Sequence, residues 1–380
     1  MKGSFRLVRL AGVDIKLHFT FPLILVLGAV QWASPHGLAG AVFGALLMLA
    51  LFLCVALHEL GHAVTAQRLG IPVREIVLLP IGGVALLSRN PRRPAYELLI
   101  AAAGPLVNVI LAVALFFAIG LRGGLSLAGD ALLQPGAAPS LETALSWLLV
   151  ANVSLVLFNL IPAFPMDGGR MLRAVLAMGM GFTRATRVAT VVGQILAMVL
   201  GIYAILAGQM MLALIAVFVF LGAGGERAAE EARGLLSTLR LGDAYNKHAL
   251  LLQPADRVSR VIDYLLTSYQ PDFAVIHGGR LLGVVTRDAV FQSLVSGEGD
   301  GYVTGIMQRD LLQLSSAMTL ADAQERMGAE GRRVAAVVDG ERYLGLVNAD
   351  DIREALQIAV YLRMAEERQG RAPLPHEPLV

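Results

Sequence analysis

Six stretches of this chain are apolar for long enough to span, or nearly span, a lipid bilayer, and no other feature limits the fold as strongly. They lie near residues 17–34, 38–69, 95–121, 141–161, 186–207 and 209–223. A helix crosses the hydrocarbon core with about 20 residues. There, every backbone N–H and C=O must be bonded internally, which selects helices. Composition agrees: 56% of residues are hydrophobic and 16% charged, against about 45–50% and about 25% in soluble domains. Charge then divides the chain. Residues 1–223 hold 14 Lys/Arg and 7 Asp/Glu, and residues 224–380 hold 17 and 22. A charge-poor membrane domain is therefore followed by a slightly acidic soluble one. The soluble part carries no basic stripe, which argues against nucleic acid as a partner. The single cysteine, Cys54, excludes an intrachain disulfide.

The loop charges predict an orientation. Arg6, Arg9 and Lys16 precede the first stretch. Arg68, Arg74, Arg89, Arg92 and Arg93 separate the second and third, and Arg170, Arg173, Arg184 and Arg187 separate the fourth and fifth. Basic loops face the cytoplasm, so six spans put every basic loop and both termini on that side of a multi-pass cell-membrane protein. Between the second and third spans, IPVREIVLLPIGGVALLS (71–88) is β-branched and carries Gly82-Gly83. It reads as one or two short strands with a turn. It either pairs with an extended substrate or only supports the site as a membrane-surface hairpin.

His58-Glu59-Leu60-Gly61-His62 is an HExxH motif inside the second apolar stretch. Residues i and i+4 share a helix face, so His58 and His62 can hold one metal ion, with Glu59 beside the open position as general base. Ionisable groups in a span are costly and mark function. Zinc in a catalytic site takes three protein ligands. Asp167 is the acidic residue of the membrane half that combines an apolar setting with a special backbone. It lies in NLIPAFPMDGGR (159–170), where Pro162 and Pro165 break the fourth span. As an alternative, Asp167 is the N-cap of the helix that follows, and the two roles are compatible. Cys54, one turn before His58, reads as a small packing residue. Asn108 is expected to bond to a neighbouring helix or to the Asp167 loop.

HELGH, the GPLVN stretch at 104–108 and NLIPAFPMDGGR together resemble the site-2 protease family of intramembrane zinc metalloproteases, in its prokaryotic six-span form with a C-terminal CBS pair. The resemblance covers roughly residues 1–223. It implies one Zn2+ held by His58, His62 and Asp167, catalysis by Glu59, and a substrate or transition-state contact from Asn159. It also implies single-span or membrane-associated substrates such as anti-sigma or pro-sigma factors.

From Leu241 onward a plan of helix, strand, turn, strand and helix occurs twice, in 241–298 and 302–360, as a tandem α/β repeat. Residues 224–240 read as a helical linker and 361–380 as a disordered tail. The repeats resemble CBS domains, which pair into a disc and bind adenine nucleotides such as ATP or AMP through a Gly-x-apolar-Thr/Ser-x-x-Asp stretch. The second repeat has Gly345, Asn348 and Asp351, with Asn in the hydroxyl position. The first has Thr286, but Ala289 stands where the Asp belongs and Asp288 is one place early. The pair is expected to serve as a nucleotide sensor, as a homodimer contact, or as a docking module. The expected architecture is thus a polytopic α-helical membrane protein with six transmembrane helices, a short membrane-associated β segment and a cytosolic α/β tandem CBS domain. The competing reading is a CBS-gated transporter or channel with a structural metal site. It would require a second, matching broken helix, which the sequence lacks.

Overall fold

Alternation of apolar and polar residues begins before the first apolar stretch, in FRLVRL and VDIKLH. In the computed structural model these form β1 (Ser4–Leu10) and β2 (Val13–His18). Ala11 and Gly12 turn between them with φ of 48° and 79°, the positive pair that suits a two-residue hairpin. The structure describes residues 3–80, 82–87, 89, 91, 93–121, 138–297, 299–340 and 342–369. It divides into two units, 1–230 and 231–380.

In the first unit, β3 (Val73–Leu79) and β4 (Gly82–Leu87) complete a sheet of order β1-β2-β3-β4. β2 and β3 pair in parallel, and the other neighbours are antiparallel. Lys16 on β2 pairs with Glu75 on β3 and holds that carboxyl below the usual range. Val13, Ile15, Ile76 and Leu78 pack with Phe21, Phe52, Ala63 and Ile100 in one core, so the sheet lies against the helices. The expectation of strands at 71–88 is met, and Ile81 and Ser88 lie outside the described residues.

Helix α1 (Pro22–Arg68) breaks at Gly37, whose φ and ψ are 59° and −145°. It is followed by α2 (Pro94–Gly120), α3 (Leu141–Asn159), α4 (Asp167–Met180), α5 (Phe182–Leu206) and α6 (Met210–Thr238). Among the described residues, five helices are long and apolar enough to cross a membrane: His36–Arg68, α2, α3, α5 and α6. The first expected span is not confirmed at its full length. Its residues 17 and 18 belong to β2, and what remains is a shorter apolar helix, Pro22–Ser34, of about 20 Å at 1.5 Å per residue. Large apolar side chains such as Leu206, Met210 and Ile205 are exposed on the helices, as hydrocarbon surroundings allow.

In the second unit the repeat is visible in the strand order. One sheet runs β5-β6-β7 (Leu251–Leu252, Asp272–His277, Arg280–Thr286), and the other runs β10-β9-β8 (Arg342–Asn348, Val334–Asp339, Gln313–Ser315). In each, the short strand pairs in parallel with the middle one, which pairs antiparallel with the third. Ala274 and Val284 from the first sheet pack with Val334, Ala336 and Leu346 from the second, so the repeats share a core. Helices α7 (Leu241–Ala244) to α12 (Ala349–Gln369) complete the unit. The tail is shorter than expected: α12 continues to Gln369, because the segment after 360 keeps strong helix formers, and residues 370–380 lie outside the described ones.

Candidate active site

The second half of α1 puts His58 and His62 on one buried face, 7% and 5% exposed. Asp167, 7% exposed, stands at the start of α4, after the loop that follows α3. His62 Nε2 lies 3.1 Å from His58 Nε2 and 3.1 Å from Asp167 Oδ2, and His58 Nε2 lies 3.3 Å from Asp167 Oδ2. Ligand atoms placed tetrahedrally about 2.0–2.1 Å from one zinc ion are about 3.3 Å apart, so this triangle has the size of one face of a zinc shell. Among the described residues it is the group of His, Cys, Asp and Glu that could hold a metal ion.

The hydrogen bonds behind the ligands make the same case. His62 Nδ1 lies 2.6 Å from the carbonyl oxygen of Ile100, which can only accept, so Nδ1 carries the proton and Nε2 presents a lone pair. His58 Nδ1 donates to Asn108 Oδ1 at 2.5 Å, and Asn108 Nδ2 donates to Asn152 Oδ1 at 2.8 Å. With both rings neutral, two imidazole lone pairs and a carboxylate face one another, an arrangement a divalent cation satisfies. Such partners fix ligand tautomer and orientation. Asn108 therefore reaches a neighbouring helix, as expected, and also a candidate ligand. Asn152, fully buried, escaped the sequence reading. Its signal was that of Asn108, a polar amide inside a span. Cys54 accepts from Asn152 at 3.4 Å and stands outside the triangle.

Asp167 is the first helical residue of α4, after an N-cap at Met166, and no side-chain capping bond is present. Its carboxylate turns to the histidines and not to the helix end. Arg170 lies 3.8 Å from its other oxygen. Glu59 and Asn159 line the same cavity of about 290 Å³ as the triangle. Asn159 Nδ2 donates to the Leu155 carbonyl at 3.0 Å. The cavity is walled on one side by β4. Gly83 comes so close that a side chain there would meet Glu59 Cγ at 2.4 Å, and β4 ends the sheet.

In the second unit a cavity of about 590 Å³ is lined by Asn348 and Asp351, with Tyr245, Asp272 and Glu354 nearby. Asn348 Oδ1 accepts from the Asp351 backbone N–H, and Asp351 Oδ2 accepts from that of Asn348. This reciprocal pair caps α12. Burial raises the Asp351 pKa against the Asn348 N–H bond. Thr286 and Asp288 do not line this cavity. Thr286 caps α9 (Arg287–Ser296) by accepting from Ala289, and Asp288 pairs with Arg333 at 3.3 Å.

Comparison with known proteins yields the same chemistry. Residues 46–134 and 125–200 match the model of Peptidase family M50, and residues 303–358 match the CBS domain. The zinc metalloprotease MJ0392 of Methanocaldococcus jannaschii is 31% identical over 97% of this chain and 99% of its own length. Stage IV sporulation protein FB of Bacillus subtilis is 25% identical over 54% of this chain and 64% of its own. A solved site-2 protease from Methanocaldococcus jannaschii is 34% identical, covering 59% of this chain and 95% of that one, with a TM-score of 0.42. With a metalloprotease relative along nearly the whole chain, the transporter reading has no remaining support. The chain belongs to peptidase family M50, the site-2 proteases, and is a zinc metalloprotease with a CBS domain pair behind its membrane helices.

Proposed function

We propose that this protein is an intramembrane endopeptidase acting on single-span or membrane-associated regulatory proteins, such as anti-sigma or pro-sigma factors, with both termini in the cytoplasm. One observation carries the catalytic part: the His58, His62 and Asp167 donor atoms converge within 3.3 Å of one another in a cavity that Glu59 shares. These three residues hold Zn2+. Bound there, zinc would polarise the scissile carbonyl and bring the pKa of its water near neutrality.

Glu59, next to His58 on the helix and facing the cavity, takes the proton from the attacking water and returns it to the leaving amine. Asn159 keeps its Oδ1 and a second N–H for the substrate backbone. A helical substrate hides its carbonyls in its own hydrogen bonds, so cleavage needs an extended segment. β4, the last strand of its sheet, receives that segment by strand addition, and the absence of a side chain at Gly83 brings it against Glu59. The orientation follows from the basic loops, with the short apolar helix Pro22–Ser34 as the first crossing. In the second unit, the cavity lined by Asn348 and Asp351 takes an adenine nucleotide, ATP or AMP, whose binding alters proteolysis. Thr286 and Asp288 would form the counterpart site of the first repeat.

The test uses the purified full chain in lipid nanodiscs with a single-span substrate. Glu59→Gln should retain about one equivalent of zinc while cleavage falls by about 10²–10⁴-fold. His58→Ala and Asp167→Ala should lose zinc. Cleavage by Glu59→Gln near the wild-type rate would overturn the assignment of the base, and full zinc in Asp167→Ala would overturn the assignment of that residue as a ligand.

A further inference from the structure

Arg173 lies on α4 nearly two turns after Asp167, with its side chain 11% exposed. It touches three other segments. Nε donates to Glu97 Oε1 at 2.9 Å, and Nη2 donates to the same oxygen. Nη1 donates to Glu226 Oε1 at 2.7 Å. The guanidinium also lies 5.0 Å over the ring of Phe164, in the loop that delivers Asp167. Glu97 stands in the first turn of α2, the helix that bonds His62 through Ile100 and His58 through Asn108. Glu226 stands on α6, which continues past residue 230 to Thr238. One side chain thus joins the helix of Asp167, the helix behind both histidines, and the helix that leads into the second unit.

The two arms of this contact differ in kind. Glu97 is 1% exposed, and breaking a buried pair strands a charge out of water, so that arm holds the fold. The Glu226 side chain is 40% exposed. It can release Arg173 and return to water, and exposed pairs contribute little to folding. The rigid fork of the guanidinium nevertheless transmits the position of one carboxylate to the other. A shift or rotation of α6 carries Glu226 with it and pulls on α4 through Arg173.

We propose that Arg173 is a positioning residue for the Asp167 carboxylate, and that its bond to Glu226 makes the geometry of the metal site depend on the placement of α6. The proposal rests on the reading of Asp167 as a ligand.

The experiment uses the full chain in nanodiscs. It measures zinc affinity by competition with a chromogenic chelator, kcat and KM on a single-span substrate, and thermal unfolding. Glu226→Ala and Glu226→Gln should each weaken zinc binding by about three- to tenfold, the low end for an indirect partner of a metal ligand. They should lower kcat to a similar degree, leave KM within about twofold, and shift Tm by no more than about 2 °C. Arg173→Lys, a point charge without the planar fork that spans the two carboxylates, should behave the same way, and adding Glu226→Ala to it should change nothing further. Unchanged zinc affinity in Glu226→Ala, or independent effects that multiply in the double variant, would overturn the proposal. If Arg173→Lys does not fold, the two Glu226 variants decide alone. Zinc retention by Asp167→Ala marks instead a failure of the ligand reading, and is measured separately.

Discussion

Replacing Gly104 with alanine should disable the metal site without unfolding the protein. A Cβ at this position on α2 would lie 2.2 Å from His62 Nε2 and 2.6 Å from His58 Nε2. Ordinary contact begins at 3.4 Å, so the methyl is about 1 Å too close to both candidate ligand atoms. The rings cannot swing away freely. His62 is tied to Ile100 one turn before Gly104, and His58 to Asn108 one turn after it, at 2.6 and 2.5 Å. The helix that would push on the rings is therefore the helix that holds them. Metal–ligand distances tolerate about ±0.2 Å, and a displacement near 1 Å breaks the triangle with Asp167. Zinc affinity should fall by about 100-fold, the upper range for disturbing the partners of ligands, and cleavage by about 100-fold or more. Overpacking should cost about 1–3 kcal/mol of stability. Chelator competition reads the first quantity, peptide release the second and thermal unfolding the third. Gly179→Ala on α4, where a Cβ meets nothing within 4 Å, is the control and should bind zinc normally. Zinc affinity of Gly104→Ala within threefold of wild type would refute the argument.

Three further outcomes are expected. Calorimetric titration of the full chain with AMP or ATP should show binding that Asp351→Ala weakens more than Asp288→Ala does, because Asp351 and not Asp288 lines the larger cavity; equal effects would refute that ranking. Asp272 in that cavity is pushed up to about 6 by burial, with Arg333 opposing and Asp351 adding to the shift. The folded state then binds more protons than the unfolded one between about pH 4 and 6, so stability falls as pH rises through that window. Asp272→Asn should stabilise the full chain by up to about 3 kcal/mol at pH 7.5 and by much less near pH 4.5. The gain is followed by proteolysis within residues 241–360, and a pH-independent gain would contradict the linkage. In a Cys54→Ala background, Ala138→Cys should react with an impermeant thiol reagent from outside, and Arg89→Cys and Val295→Cys only after the membrane is opened. External labelling at 295 would reverse the proposed orientation.

Much of the candidate site was legible because it depends on short-range geometry. A helix places His58 and His62 on one face whatever surrounds it, and the cost of ionisable groups in an apolar segment singles out Glu59 and Asp167. The repeated α/β plan after Leu241 was legible for a similar reason, since each repeat must carry its own helical and strand periodicity. The first crossing was not. Its stretch from Leu17 into the helix is rich in apolar residues and carries no Lys, Arg, Asp or Glu, so mean hydropathy cannot show that β2 claims residues 17 and 18. The alternation in 4–18 was present but was overshadowed by its arginines.

The sequence by itself determined the later helices, the repeated α/β plan and which side chains can bind a metal, because propensity, periodicity and desolvation act within a few residues of one another. Only the tertiary structure decided the partners. Ile100 and Asn108 reach the histidines, Asn152 stands behind Asn108, β4 passes Glu59, and Arg173 meets both Glu97 and Glu226. Each of these contacts joins segments far apart in the chain. Their distances are set by how closely helices pack at small residues such as Gly104, which no local pattern records.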